Sequence, residues 1–290
     1  MKRMKRYLDW LLNLCFCLCV GLIVWLLLLV TTFASFKIPS DSMEPTLLPG
    51  DNILVNKWLM GGRVFDIWEA VEGKDTEIYR LPGVKKIARN DVVVFNFPYP
   101  ERDDSITLDM KVYYVKRCIA LPGDTLEIRN GHYRVRGYDG EVGYLPAQRR
   151  IAALINPKLQ GVVMGAYPWD GHLNWTIQEF GPLHLPASGQ TVQMDSTAAK
   201  LYRPLLVWEQ KKTVTRKGND VYLGDSLIRE YTFKENYYFM GGDNMENSRD
   251  SCYWGLLPES FIVGTATRIW KSVNKHTDKV RRDRVFKEIE

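Results

Sequence analysis

A chain of 290 residues with 46% apolar and 25% charged content folds into one or two domains and is not a disordered polymer. Its formal net charge of +5 sits at the ends: residues 1–37 carry five Lys/Arg against Asp9, and residues 271–290 carry seven against four acids, so the body between is slightly negative. A body that close to neutral argues against a nucleic-acid-binding face.

Lys2, Arg3, Lys5 and Arg6 precede a run from Leu11 to Val30 in which only Asn13 and Gly21 interrupt apolar residues and cysteines. About 20 such residues, at ~1.5 Å each, span a bilayer core of ~30 Å. The flanking cations keep the N-terminus cytoplasmic and send the rest of the chain outside. The rival reading is a cleaved secretory signal with small residues around Thr32-Phe33-Ala34. Signal h-regions run only about 7 to 15 residues, which favours a retained anchor. The expected layout is a cytoplasmic segment over 1–9 and a single transmembrane helix over 10–34, since no second apolar run of 18 residues follows. Cys15, Cys17 and Cys19 lie inside the anchor as small hydrophobes. Cys118 and Cys252 reach the exterior, as one disulfide or as two free thiols.

Directly after the anchor comes "FKIPSDSMEPTLLPGD", Phe36 to Asp51, with three prolines around two serines. Lys57 to Lys86 follows, in which Trp58, Leu59, Met60, Phe65, Ile67 and Trp68 form either a patch resting on the membrane or a short core helix. The runs "DVVVFNFPYP", "VYYVKRCIAL" and "TLEIRNGHYRVRG" are rich in Val, Ile, Tyr and Phe and bounded by Pro and Gly, the signature of strands. Asn130-Gly131 within the last of them marks a tight hairpin. Later strands are expected at "LHLPASGQTVQMD", "DVYLGDSLIREYTF", "NYYFMGGDN" and "FIVGTATRIW", and no sustained 3.6-residue amphipathic pattern appears outside the ends. The fold class is therefore mostly β: an antiparallel, barrel-like β core in two parts, 35–139 and 211–270. A proline-rich insertion over 140–210 separates them, and a charged tail over 271–290 follows.

Candidates for chemistry are few. His132, His172, His184 and His276 are scattered, none in a recognisable catalytic context, so a Ser-His-Asp triad is a poor reading. A lysine base is the alternative. Lys116 sits in the middle of an apolar strand, with Tyr114 and Cys118 on its own face and Arg117 on the other. An unperturbed lysine is neutral in only about 1 in 2,500 molecules at pH 7, a cost of roughly 4.6 kcal/mol. Burial lowers the pKa and removes much of that cost. The bland reading is a lysine that snorkels from an edge strand to water.

Four segments in order decide between these readings. "PSDSMEPTLLPGD", "RNDVVVF", "YYVKRCIALPGD" and "GDNMENSRDSCYWGLLP" resemble the sequence boxes of bacterial type I signal peptidases, the membrane-anchored serine proteases with a Ser/Lys dyad. The resemblance runs from the anchor to about Trp270. It implies Ser42 as nucleophile, Lys116 as general base, Ser40 with the Ser42 backbone N–H as the oxyanion hole, Ser248 as the lysine-orienting hydroxyl, and Arg117 with Asp250 as a structural pair. It further implies cleavage of signal-peptide-bearing preproteins with small residues at the first and third positions before the cut. The implied setting is a monomer in the bacterial inner membrane, with its catalytic domain periplasmic and the lipid bilayer as its other partner. No cofactor, metal or nucleic acid is implied.

This chain departs from the family's pattern in three places. Asp41 replaces a small residue between the serines, Asn90 a frequent glycine, and Cys252 an arginine expected before "YWG". Asp41 is expected to face solvent, since a carboxylate turned inward would raise the lysine's pKa. Two other readings remain: an inert membrane-anchored β domain that binds extracytoplasmic partners, and a processing peptidase with a narrow substrate range. Intact Ser42, Lys116 and Ser248 speak against the first.

Overall fold

Helix α1 (Lys2–Thr32) runs without a break into strand β1 (Phe33–Lys37). The computed structural model describes residues 2–72, 76–100, 105–155, 161–275 and 277–290, with the backbone alone at 2–5, 8–9, 26–31, 67 and 71. The described side chains of α1 from Trp10 to Trp25 are exposed. The expected anchor extends over side chains outside this set, and among the described residues no helix is long and apolar enough to cross a membrane.

The following elements are β2 (Asp51–Asn56), β3 (Arg63–Val64), α2 (Ile67–Val71), β4 (Tyr79–Arg80), β5 (Val92–Asn96), β6 (Tyr113–Ala120), β7 (Thr125–Arg129), β8 (His132–Val135) and α3 (Leu145–Ala152). Then come β9 (Phe180–His184), β10 (Thr191–Gln193), α4 (Ser196–Gln210), β11 (Val214–Lys217), β12 (Asp220–Leu223), β13 (Ser226–Ile228) and β14 (Glu230–Thr232). The last are β15 (Tyr237–Gly241), α5 (Ser251–Trp254), β16 (Leu257–Pro258), β17 (Ile262–Ser272) and β18 (Lys287–Glu288).

One antiparallel sheet of eight strands organises the molecule, in the order β1-β2-β17-β5-β6-β15-β16, with β18 added on β17. Register shifts in β17 against both β2 and β5 mark bulges, which bend a strand and raise its twist. The sheet curls into a half-barrel as a result. Both of its faces are buried: Val92 and Val94 of β5 point into one apolar cluster, Val93 and Phe95 into the other. That is why "DVVVF" reads as a continuous apolar run instead of alternating.

A second sheet, β8-β7-β9, hangs from the first through the β6–β7 connection. Its hairpin turns at Asn130 and Gly131, with φ of 48° and 74°, and pairs Arg129 with His132. Two positive φ values in a two-residue loop suit Asn-Gly, as expected. Strand β9, from the segment 140–210, pairs with β7 and joins that segment to the sheet.

Two expectations fail here. The first is the lack of helix in the body, because α4 is 15 residues long and buries Ala198, Leu201, Tyr202 and Leu205 at helical spacing. Asp195 caps its start by accepting from the N–H groups of Thr197 and Ala198. Pro204 in its interior, a strong helix breaker in isolation, hides that pattern in the sequence. The second is the core-helix alternative for residues 57–86, one of the two readings of that segment. These residues make the two-stranded ribbon β3–β4 and the five-residue α2, with Met60 buried but Trp58 and Trp68 exposed.

Candidate active site

Residues 38–51 form a loop between β1 and β2 whose base is closed by Ile38 N–H donating to Asp51 O (2.8 Å) and Gly50 N–H donating to Ile38 O (2.9 Å). Ile38, Met43 and Leu47 sink into the smaller apolar cluster with Ile53, Val55, Val92 and Val94. Met43 is 2% exposed, so its neighbour Ser42 is fixed at the mouth of the half-barrel by the side chain that follows it. The N–H groups of Glu44 and Leu47 donate to Asp41 O and Met43 O, both at 2.9 Å, winding the chain into a tight turn just after Ser42.

Lys116 lies in the middle of β6, opposite Val93 of β5. It is 3% exposed, and its Nζ stands 2.6 Å from Ser42 Oγ and 5.5 Å from the centroid of the Tyr114 ring. Burial lowers its pKa from 10.5 to about 8, against the opposing pull of Asp250, Asp243 and Asp41. An amine with that pKa is neutral in about one molecule in ten at pH 7, and the cost of the neutral form falls by roughly 3 kcal/mol. The lysine does not snorkel, because β6 is a central strand with neighbours on both sides.

Ser40 Oγ is 3.5 Å from Ser42 Oγ. Among the described residues the Ser42 N–H has no acceptor, while the Ser42 carbonyl accepts from Asn244 N–H at 3.1 Å. An unengaged backbone N–H beside a second hydroxyl is what a developing oxyanion requires.

The segment after β15 closes the site from the other side. Gly242 N–H donates to Asp250 Oδ2 at 2.9 Å, and Asp250 Oδ1 accepts from Cys252 N–H at 3.1 Å, capping α5. Burial raises the pKa of Asp250, while these two N–H groups and Lys116 act to lower it. A side chain on Gly242 would put its Cβ 2.0 Å from Ser248 Oγ and 2.7 Å from Ser42 O. Ser248 is buried and close enough to Asp250 to favour its carboxylate, yet its hydroxyl has no hydrogen-bond partner of ordinary geometry among the described residues, Lys116 included.

A cavity of about 380 Å³ opens over Ser42 and Lys116, with Ile38, Met43, Tyr114 and Val115 supplying apolar wall and Asp41, Asn247 and Arg249 a charged rim. Three larger cavities, of about 910, 740 and 410 Å³, share no wall with it. The histidines stand apart from the dyad: His184 faces Thr125 at 3.4 Å, neither His132 nor His172 bonds to Ser42 or Lys116, and His276 lies outside the described residues.

The sequence that carries this site matches known proteins. The family model described as "Signal peptidase, peptidase S26" aligns with residues 8–271. This chain belongs to that signal peptidase family. It is 30% identical over 249 residues to a signal peptidase I of Buchnera aphidicola subsp. Acyrthosiphon pisum (84% of this chain, 70% of that one). It is also 30% identical over 247 residues to a signal peptidase I of Pseudomonas aeruginosa (82% and 64%). A solved signal peptidase I of Enterococcus faecalis V583 is 22% identical and covers 62% of this chain and 97% of that one, with a TM-score of 0.30, too loose a superposition to bear on the fold.

Against the signal peptidase pattern, the structure corrects one pairing. Arg117 does not meet Asp250: its guanidinium grips both oxygens of Asp243, at 2.7 and 2.6 Å, and also donates to Asn90 O (2.8 Å) and Thr46 Oγ1 (3.3 Å). The reason is register. Gly241 pairs with Arg117 across β15 and β6, so Asp243 follows just past the pair, whereas Asp250 is turned inward at the start of α5. Asp41 likewise departs from expectation. It is half-buried at the cavity rim, and both of its carboxylate oxygens accept from Asn247 Nδ2, at 3.1 and 2.9 Å.

Asn244 and Asn247 went unnoticed in the sequence. Their one signal is the Asn-rich turn "DNMEN" beside the matching box. Asn90 has φ of 71°, a conformation that glycine favours and asparagine tolerates better than most residues. Cys118 and Cys252 are both buried free thiols.

Proposed function

We propose that this member of the signal peptidase family is a membrane-anchored serine endopeptidase that cleaves signal peptides from exported preproteins, with Ser42 as nucleophile and Lys116 as general base. The observation that carries the assignment is the 2.6 Å contact between Lys116 Nζ and Ser42 Oγ, made by a lysine whose burial brings its pKa to about 8. A neutral Lys116 accepts the hydroxyl proton as Ser42 Oγ attacks the scissile carbonyl. The resulting ammonium returns that proton to the leaving amine. A water, deprotonated by the same amine, then clears the acyl-enzyme.

The oxyanion falls to the Ser42 N–H and the Ser40 hydroxyl, a donor pair worth several kcal/mol when preorganised. Ser248, unpartnered and packed against Gly242, is the hydroxyl available to hold the amine once Ser42 Oγ has turned to the substrate. The small apolar cavity suits the small residues expected just before the cut.

The anchor reading rests on the apolar run 11–30, on the 31-residue length of α1, and on its direct passage into β1. About ten residues run from Thr32, the end of α1, to Ser42, so the nucleophile lies at most ~36 Å from the end of the helix, where a cleavage site leaves the bilayer. Positive residues before the run set the N-terminus in the cytoplasm and the β domain on the outer side.

The test is cleavage of a signal-peptide-bearing preprotein in detergent by the parent, Ser42→Ala, Lys116→Ala and Lys116→Arg. Each variant is expected to lose at least about a thousandfold in kcat/KM. Activity retained by Ser42→Ala would remove Ser42 as nucleophile, and activity retained by Lys116→Arg would remove the need for a neutral amine.

A further inference from the structure

The family match ends at residue 271, yet the chain continues for 19 residues, and these do not trail into solvent. They fold back onto the loop that carries Ser42. Val273 N–H donates to Gly50 O at 3.1 Å, and Lys275 Nζ donates to Pro39 O at 2.6 Å. Arg281 donates through both terminal nitrogens to Pro49 O, at 3.2 and 3.3 Å. Arg284 goes deepest: one nitrogen serves both Thr46 O (2.8 Å) and Asp51 Oδ2 (2.6 Å). Its side chain is 9% exposed and that of Asp51 0%.

The tail therefore takes up backbone carbonyls at 39, 46, 49 and 50, positions on both sides of Ser42. The tail packs closely on Gly50, where a Cβ would lie 2.0 Å from Val273 O. Asp51 is fixed in turn, accepting from Leu48 N–H at 2.8 Å. Thr46 is where the two supports meet, its carbonyl held by Arg284 and its hydroxyl by Arg117.

We infer that the basic C-terminal tail is a positioning clamp: Lys275, Arg281 and Arg284 hold the nucleophile loop so that Ser42 Oγ stays within reach of Lys116. None of them touches the reacting atoms. Four carbonyls bonded to one strap hold the loop against sliding, and a displacement of about 1 Å at a reacting atom costs about a hundredfold in rate. This inference rests on Ser42 being the nucleophile.

The experiment uses the full chain in detergent, with a peptide substrate, and compares the parent with Arg284→Ala, Arg284→Lys, Lys275→Met and Ser42→Ala, each checked for melting temperature and circular dichroism. Arg284→Ala is expected to lower kcat about tenfold or more while KM stays within twofold, because the binding cavity is untouched. Arg284→Lys recovers part of the loss, as an ammonium reaches Asp51 but cannot also fork to Thr46 O. Lys275→Met has an exposed side chain and a single loop contact, so it folds normally and lowers kcat by about two- to fivefold; it decides the matter if Arg284→Ala does not fold. The clamp is overturned if kcat per folded molecule stays within twofold of the parent in Lys275→Met and Arg284→Ala, or if KM rises in step with the fall in kcat. Activity in Ser42→Ala would instead overturn the nucleophile assignment on which the clamp depends.

Discussion

Lys116 answers to three carboxylates, and the order of their influence sets a testable series. Burial drives its pKa down to about 8, while Asp250, then Asp243, then Asp41 pull it back up. The proposed base acts as the neutral amine, so with chemistry rate-limiting the rate is expected to rise with pH through about 8 and level off above it. A profile flat between about pH 6 and 9 would count against Lys116 as base. Removing a negative charge destabilises the ammonium, so Asp250→Asn and, to a smaller extent, Asp41→Asn should move the rising limb to lower pH. A pH–rate series on the two variants checks it, and a shift to higher pH would contradict the stated electrostatics. This second effect gives Asp41 a role: held by Asn247 at the rim, it restrains how far the lysine's pKa falls.

At the level of elements, the site depends on β6 and β15 being adjacent. Arg117 and Asp243 bond across that junction with side chains 7% and 1% exposed. Asp243→Asn is expected to cost roughly 3–5 kcal/mol of stability, read from urea denaturation, because it leaves a buried guanidinium without its counter-charge. Replacing both partners with apolar residues should recover most of that loss. If the single and double variants prove equally unstable, the pair is not what joins the strands. Gly242, in the turn after β15, is under a different constraint. With Ser248 Oγ and Ser42 O crowding the place of its missing side chain, Gly242→Ala should reduce kcat about a hundredfold by displacing the nucleophile, with a far smaller change in KM. A variant of near-parental kcat would show that the turn can yield.

At the scale of the molecule, the proposed anchor and the half-barrel can be tested apart. A chain lacking residues 2–32 keeps β1 and every group of the site. It should cleave a short soluble peptide within about threefold of the parent, yet lose about a hundredfold on a preprotein embedded in vesicles, because the proposed anchor would raise the effective concentration of enzyme at the membrane. Vesicle flotation gives the matching physical readout, with the parent floating and the shortened chain remaining below. Equal activity on the vesicle-bound preprotein would contradict a role for α1 in bringing enzyme and substrate together.

The strands that frame the site were legible in the sequence because each is a local pattern: the apolar run of β5, the long strand β6 around Lys116, and the Asn130-Gly131 hairpin. So were Ser42 and Lys116, whose neighbours are distinctive enough to be matched box by box. What the sequence could not supply is anything that depends on which strand lies beside which. The choice of Asp243 over Asp250 as partner of Arg117 follows from the β6–β15 register, and the hold on Asp41 follows from a turn more than 200 residues away. Helix α4 escaped notice because a proline sits in its buried face. The charged tail could be read only as charged, because composition records charge and not the carbonyls that the charge finds. Local sequence marks Ser42 and Lys116 as the proposed nucleophile and base; only the closing of the sheet brings them, 74 residues apart, to 2.6 Å and buries the lysine enough to lower its pKa to about 8.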